Sequence, residues 1–117
     1  MDAGVREAVE AHVAAINALD AEAAAAGFAA DGVFTGSDDE AVGQREVYGL
    51  FRDAFAEVAA VDMELVRLVA TGDTAACELV ERIRWLQGAV LELRLAAFYT
   101  VIEGSITRVR VYRFFPG

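Results

Sequence analysis

A chain of 117 residues can bury one hydrophobic core but not two, so we expect a single domain over residues 1–117. Its formal net charge of −9 argues against a nucleic-acid backbone or an anionic membrane as partner, and it has no apolar run of the ~20 residues that a membrane span needs. The start lacks a secretory pattern and Cys77 is the single cysteine, so we expect a cytoplasmic protein without disulfides or a cysteine-based metal cluster.

The first half of the chain has the apolar spacing of helices. Val5, Val9, Val13 and Ile16 recur every three or four residues, which predicts a first helix over Val5–Ala18. The other elements of this half are a second helix capped by Asp20, a turn, a short strand and a third helix. We place them at Ala21–Phe28, at Ala29–Gly32, at Gly32–Thr35 and from Glu40 or Gly43 to Ala59.

The second half of the chain has the pattern of strands separated by glycine-containing turns. The predicted strands are Val61–Ala70, Thr74–Leu86, Ala89–Ile102 and Ser105–Phe115. Helices followed by such a meander indicate an α+β fold, with three N-terminal helices packed on one face of a curved antiparallel sheet.

The turn at Gln87-Gly88 decides which face of the sheet the preceding charged residues occupy. A two-residue loop places Arg82 and Arg84 opposite leucines of the next strand, and therefore on the inner face. Alternation within the strand favours the opposite register, with apolar residues such as Ile83 inside, and a slip of one residue exchanges the two faces. We adopt the register that the turn predicts.

The same reasoning assigns the outer face of the sheet. It pairs Glu81 with Arg94 at the surface, and a three-residue loop at Glu103–Ser105 pairs Tyr99 with Val109 on the inner face. Four large apolar residues are left on the outer face: Ile83, Trp85, Phe98 and Tyr112. An exposed aromatic face is typical of an oligomer contact, so we expect a homodimer through the outer sheet face.

Four stretches resemble the nuclear transport factor 2-like superfamily: His12–Asp20, Gly27–Phe34, Gly43–Val47 and Ile102–Tyr112. This superfamily includes ketosteroid isomerases, SnoaL-like polyketide cyclases and limonene-epoxide hydrolases. The resemblance covers nearly the whole chain and implies a single SnoaL-like domain, a cone-shaped α+β barrel with a deep apolar pocket. The catalytic residues do not carry over. The isomerase positions hold His12, Gly36 and Ala97, and the acidic positions of the epoxide hydrolases hold Arg84 and Val111.

His12 and the two arginines are the polar residues that remain in the predicted pocket. Burial keeps a histidine neutral near pH 7, so His12 is a candidate general base. The guanidinium of Arg82 or Arg84 can hold a carboxylate or stabilise an enolate-like oxygen. No metal-ligand spacing and no phosphate-binding loop is present, so we expect neither a metal nor a cofactor. The expected substrate-binding residues are Val13, Ile16, Phe34, Phe51, Phe55, Leu93, Leu95, Tyr99 and Val111.

These features favour a cofactor-independent enzyme acting on a small apolar or amphipathic ligand. The reaction would be a proton transfer in an isomerisation, cyclisation or elimination, with His12 moving the proton. One alternative is a non-catalytic ligand-binding or dimerisation module of the same fold, in which His12 bonds Tyr48, Tyr99 or a backbone carbonyl. A further alternative, epoxide hydrolysis, requires Asp38 or Glu78 to line the pocket.

Overall fold

The computed structural model describes residues 2–114, with side chains from residue 4 onward. The predicted end of the last strand at Phe115 lies outside these residues. Within them, no helix is long and apolar enough to cross a membrane. The elements in chain order are α1 (Asp2–Asn17), α2 (Ala21–Ala26), β1 (Phe28–Thr35), β2 (Glu40–Val42), α3 (Gln44–Phe55), β3 (Val58–Thr71), β4 (Thr74–Trp85), β5 (Val90–Ile102) and β6 (Ser105–Phe114).

The strands form one curved sheet in the order β2-β1-β6-β5-β4-β3. Strands β3 to β6 form the predicted antiparallel meander, but β1 runs parallel to β6, so the sheet is mixed rather than antiparallel. No hairpin joins β1 to β6, so no turn imposes the antiparallel direction on this pair. In the described part of the chain β2 and β3 each pair on one side only, which leaves the sheet open instead of closed into a barrel.

Strand β1 and helix α3 depart from the predicted boundaries, and each has a glycine with a distinct structural role. Strand β1 begins at Phe28, inside the predicted second helix, and its register against β6 shifts between Phe28 and Val33. Within this shift lies Gly32, where an added Cβ would be 2.7 Å from the backbone oxygen of Ile106, so only glycine allows the two backbones to approach this closely. Gly43, at a φ of +91°, separates β2 from α3, and the helix therefore starts later than Glu40.

Helix α1 lies across the inner face of the sheet, on β3, β4 and β5. Its apolar stripe from Val5 to Ile16 is buried there, as the spacing predicts. Its last residue, Asn17, pairs with the backbone of Met63 on the edge strand β3. Asn17 Nδ2 donates to the Met63 carbonyl at 3.0 Å, and the Met63 N–H donates to Asn17 Oδ1 at 2.6 Å. The amide takes the place of a neighbouring strand and fixes the helix at the sheet edge.

Replacing Asn17 with Ala should lower the free energy of unfolding by about 1–3 kcal/mol, because an N–H and a C=O of Met63 lose their partners. Urea denaturation followed by circular dichroism measures the change. Asn17→Asp is the matched control: it keeps the acceptor and loses the donor, so we expect an intermediate value. An alanine variant as stable as the wild-type protein would show that water replaces the amide completely.

The β4–β5 hairpin has a three-residue loop rather than the predicted two-residue loop. The Trp85 N–H donates to the carbonyl of Ala89 at 2.9 Å, and Gly88, at a φ of +104°, donates its N–H to the carbonyl of Trp85 at 2.9 Å. The pairing is therefore shifted by one residue, so that Arg82 lies opposite Glu92. A shift of one residue exchanges the two faces of β4, and the side that alternation predicted is the buried one.

The β5–β6 register is as predicted, although the turn differs. Tyr99 lies opposite Val109 on the inner face. The loop itself has two residues, Glu103 and Gly104, both with positive φ. A register shift farther along the hairpin adds one residue to β6, which restores the pairing that a three-residue loop would give.

The outer face of the sheet carries two of the four apolar residues expected there. Phe98 and Tyr112 are 48% and 51% exposed, and their rings are in T-shaped contact with centroids 5.9 Å apart. The placement of Ile83 and Trp85 on this face was wrong, because the one-residue shift of β4 turns both inward.

Candidate functional site

A cavity of about 230 Å³ lies between α1, α3 and the inner face of the sheet. Apolar walls with a few polar groups are typical of small-molecule sites. The residues that line it are His12, Ile16, Phe34, Phe51, Ala54, Phe55, Glu57, Val58, Val61, Met63, Leu79, Glu81, Ile83, Trp85, Leu95, Ala97, Tyr99, Val111 and Arg113.

Most of the apolar residues predicted for the pocket line this cavity: Ile16, Phe34, Phe51, Phe55, Leu95, Tyr99 and Val111. Val13 and Leu93 are buried but do not reach it. Val13 is turned by about 100° from His12 around the helix axis, and it faces a groove beside Leu65 instead. Leu93, at 2% exposed, belongs to the packed core.

His12, the single histidine, lies on the helical side of the cavity among aromatic rings. It is 4% exposed, and its ring centroid lies 5.6 Å from that of Phe28, 5.5 Å from Phe51 and 6.0 Å from Tyr99. Its Nδ1 atom is buried and has no hydrogen-bond partner among the described residues. Burial lowers the pKa of His12 from 6.5 to about 4, against a smaller opposing effect of the Ala24 carbonyl. The imidazole is therefore neutral at pH 7, as predicted.

Glu81 brings a carboxyl group into the cavity from the inner face of β4, where it is only 8% exposed. Its partners on the adjacent strands are Met63 and Leu93, and the residues two positions before and after it are also apolar. No charged nitrogen of a described side chain lies within 4.0 Å of its carboxyl oxygens, so it forms no ion pair among them. Desolvation raises the pKa of Glu81, and the positive charge of Arg113 opposes this only in part.

Further polar groups lie along the wall and at the opening of the cavity. Burial raises the pKa of Tyr99, so its hydroxyl stays protonated and can donate a hydrogen bond. Trp85 contributes an indole ring with one N–H donor. Glu57 and Arg113 line the cavity and are also exposed, which places them where it meets solvent.

The family model for the SnoaL-like domain matches residues 9–109. The chain belongs to the SnoaL-like domain family. A comparison with curated proteins found no significant match. The matched part of this SnoaL-like domain includes His12 and Glu81, whereas Arg113 lies beyond it.

Solved structures confirm the nuclear transport factor 2-like fold of this SnoaL-like domain, at identities that establish the fold alone. A hypothetical protein with a ketosteroid isomerase-like fold from Catenulispora acidiphila DSM 44928, in complex with trimethylamine, is 21% identical with a TM-score of 0.85, covering 91% of this chain and 84% of that one. An M. tuberculosis LEH-like epoxide hydrolase is 21% identical with a TM-score of 0.86, covering 97% and 84%. TerC co-crystallised with polyporic acid is 15% identical with a TM-score of 0.81, covering 93% and 90%.

Arg82 and Arg84, the predicted anion-binding residues, do not reach the cavity of this SnoaL-like domain. Both are exposed on the outer face. Arg82 Nε donates to Glu92 Oε1 at 2.7 Å, and Arg82 Nη1 lies 3.6 Å from Asp62 Oδ2, in a surface bridge worth under about 1 kcal/mol. The inward placement of these arginines was wrong because it assumed a two-residue loop. Arg113 is the arginine that lines the cavity instead.

The predicted pairing of Glu81 with Arg94 at the surface was wrong because it also assumed the two-residue loop. Alternation within β4 could have placed Glu81 on the inner face. Ala75, Cys77, Leu79 and Ile83 form an apolar series of period two, and Glu81 occupies the one polar position in it.

No group of three His, Cys, Asp or Glu side chains in the described part is placed to hold a metal ion. The arrangement of Glu81, His12 and Tyr99 in an apolar cavity is suited to proton transfer and hydrogen bonding.

Proposed function

We propose that this SnoaL-like domain is an enzyme that transfers a proton on a small, largely apolar organic molecule without a cofactor, in an isomerisation, cyclisation or elimination. The observation that carries the proposal is Glu81, a buried carboxyl with apolar neighbours inside a cavity and no ion pair among the described side chains. Burying an unpaired carboxyl is unfavourable for folding, so such groups cluster at functional sites. Trimethylamine and polyporic acid bound to proteins of similar fold support a cavity for small organic ligands.

Glu81 is the group to which we assign the proton transfer. Desolvation raises its pKa above the ordinary value of 4.5, which makes its carboxylate a stronger base than that of an exposed glutamate. His12, with a pKa of about 4, is a weak base near pH 7. We therefore assign to Glu81 the general-base role that the sequence predicted for His12. Tyr99 then donates a hydrogen bond that stabilises charge developing on a substrate oxygen, while neutral His12, whose single N–H is directed to the Ala24 carbonyl, contributes Nδ1 as an acceptor. The apolar walls exclude water and strengthen these interactions.

Solvent deuterium exchange tests this proposal. The wild-type protein is incubated in D₂O with a panel of small carbonyl compounds, some of them carrying an amine. Loss of the C–H signal beside the carbonyl is followed by ¹H NMR. We expect at least one compound to exchange faster than without protein, and a non-exchanging analogue of the same shape to inhibit it. Binding without exchange across the whole panel would contradict the proposal and favour the non-catalytic module.

Epoxide hydrolysis is a second candidate, and Glu81 is again the observation that favours it. Asp38 and Glu78, which this reaction was expected to need in the pocket, are exposed and do not line the cavity. Glu81 supplies a buried carboxylate that can activate a water molecule. Turnover of epoxides in H₂¹⁸O, followed by mass spectrometry, would show one ¹⁸O atom in the diol. Absence of diol from every epoxide tried would exclude this candidate.

We also propose that two copies of the chain associate through the outer sheet face. The exposed rings of Phe98 and Tyr112, which are in T-shaped contact with each other, support this surface as the contact. Replacing Phe98 with Arg should lower the mass measured by light scattering from twice 12.5 kDa to 12.5 kDa, because a charge is then buried at the contact. Leu86→Arg, in the exposed β4–β5 loop, is the control and should remain dimeric. A monomeric wild-type protein would refute the contact.

A further inference from the structure

The residues that line the cavity include more acidic than basic side chains. Glu57 and Glu81 are acidic, Arg113 is the one guanidinium among them, and His12 is neutral. Arg113 is exposed, so water screens it, whereas the field of Glu81 inside the cavity is screened much less. The net charge of −9 on the whole chain adds to the negative potential around the opening. A positively charged ligand is therefore attracted more strongly than a negatively charged one.

Aromatic rings surround the same space. Phe51 lies 5.5 Å from Phe34 and 5.6 Å from Phe55 between centroids, and Trp85 and Tyr99 add two more rings to the wall. The face of an aromatic ring attracts a cation within about 6 Å, and Trp does so most strongly. An alkylated ammonium suits such a wall because its methyl groups pack against the rings. A primary ammonium has three N–H donors, for which the rings themselves offer no acceptor.

We propose that the cavity takes an organic monocation, a tertiary or quaternary ammonium group on a small apolar body, with Glu81 as its counter-ion. This inference rests on the proposed function in one respect, that the cavity receives a small organic ligand, and it adds the charge of the substrate. A bound cation favours the ionised form of Glu81, which is the form that accepts a proton. The substrate thereby keeps the base available in a cavity whose apolar walls disfavour the charged form.

Three probes of nearly equal shape separate charge from size. Choline carries a trimethylammonium group, 3,3-dimethyl-1-butanol has carbon in place of that nitrogen, and 3,3-dimethylbutanoate is anionic. Trp85 reports binding by its fluorescence, because it is the single tryptophan of the chain and lines the cavity. We expect choline to bind at least about tenfold more tightly than the alcohol, and the carboxylate to bind most weakly.

A pair of variants then tests Glu81 as the counter-ion. Glu81→Gln removes the charge and keeps the shape, so it should reduce the advantage of choline to about twofold or less while alcohol binding is unchanged. Glu78→Gln removes the same charge from the outer face of the same strand and should leave the advantage intact. Choline preference that persists in Glu81→Gln would remove Glu81 from this role and overturn the proposal.

The titrations of the wild-type protein can also overturn the cation inference by themselves. Equal or tighter binding of the alcohol overturns the cation inference but leaves an apolar ligand site, so the proposed function stands. Tightest binding of the carboxylate assigns the cavity to an anion held by Arg113 and overturns the inference too. No fluorescence change with any probe up to its solubility limit overturns it as well, and deuterium exchange then decides separately on the proposed function.

Discussion

The Glu81→Gln variant is expected to lose proton-transfer activity by at least about a hundredfold while becoming more stable than the wild-type protein at neutral pH. General acid–base catalysis contributes roughly 10²–10⁴ in rate, and an amide cannot accept the proton. The gain in stability follows from the raised pKa of Glu81. Because burial disfavours its charged form, ionising it in the native state costs folding free energy that glutamine does not lose.

The contribution of Glu81 to the free energy of unfolding changes with pH in a defined direction. The native state binds the Glu81 proton more tightly than the unfolded chain does, so this group stabilises the fold at low pH. That contribution is lost as the pH rises from the ordinary value of 4.5 through the native pKa. The advantage of Glu81→Gln should therefore be absent below about pH 4.5, grow as the pH rises from there, and be complete above the native pKa. Urea denaturation at a series of pH values measures it.

Glu78→Gln is the matched control, because Glu78 is exposed on the same strand and its replacement should change neither stability nor rate. A Glu81→Gln variant that is less stable than the wild-type protein at every pH would assign Glu81 a structural role. Loss of activity in that variant would then have no bearing on proton transfer, and the proposed function would lose the observation that carries it.

Periodicity identified the elements that bury one face against the core. Helix α1 and the four strands of the meander each repeat their apolar residues at the period of their own backbone. Strand β2 has three residues, too few to show a period, and Gly32 interrupts the alternation of β1. The parallel pairing of β1 with β6 joins segments far apart in the chain, so no local pattern specifies its direction.

The candidate site could be predicted on the helix but not on the sheet. His12 could be predicted to face the cavity, because its direction follows from the helical repeat alone. The inward face of β4 depended on the length of one loop, and Gly88 is compatible with two residues or three. An error of one residue brought Arg82 inward in place of Glu81. Because carboxyl groups are almost never buried without a partner, the chemistry of Glu81 itself favoured the wrong register.

Between pH 6.5 and pH 4, acidification should destabilise the wild-type protein by about 3 kcal/mol more than a His12→Phe variant. Burial keeps native His12 neutral down to about pH 4, whereas the unfolded chain takes up this proton near pH 6.5. The unfolded state therefore binds more protons across this window. The stability that neutral His12 contributes is complete above pH 6.5 and falls as the pH decreases to about 4.

Phenylalanine suits the position because His12 already packs in T-shaped contact with Phe28, Phe51 and Tyr99. The replacement also removes Nδ1, which has no partner among the described residues. Urea denaturation of both proteins across this pH range measures the difference, and NMR titration of the single histidine locates its midpoint. Phe51→Leu, which loses packing but no titrating group, should show the same deficit at both ends of the range. Parallel stability curves for wild type and His12→Phe would mean that the native imidazole protonates near its ordinary pKa. Such a ring has to be hydrated or hydrogen-bonded, and the desolvated surroundings on which both the catalytic and the cation assignments rest would not exist.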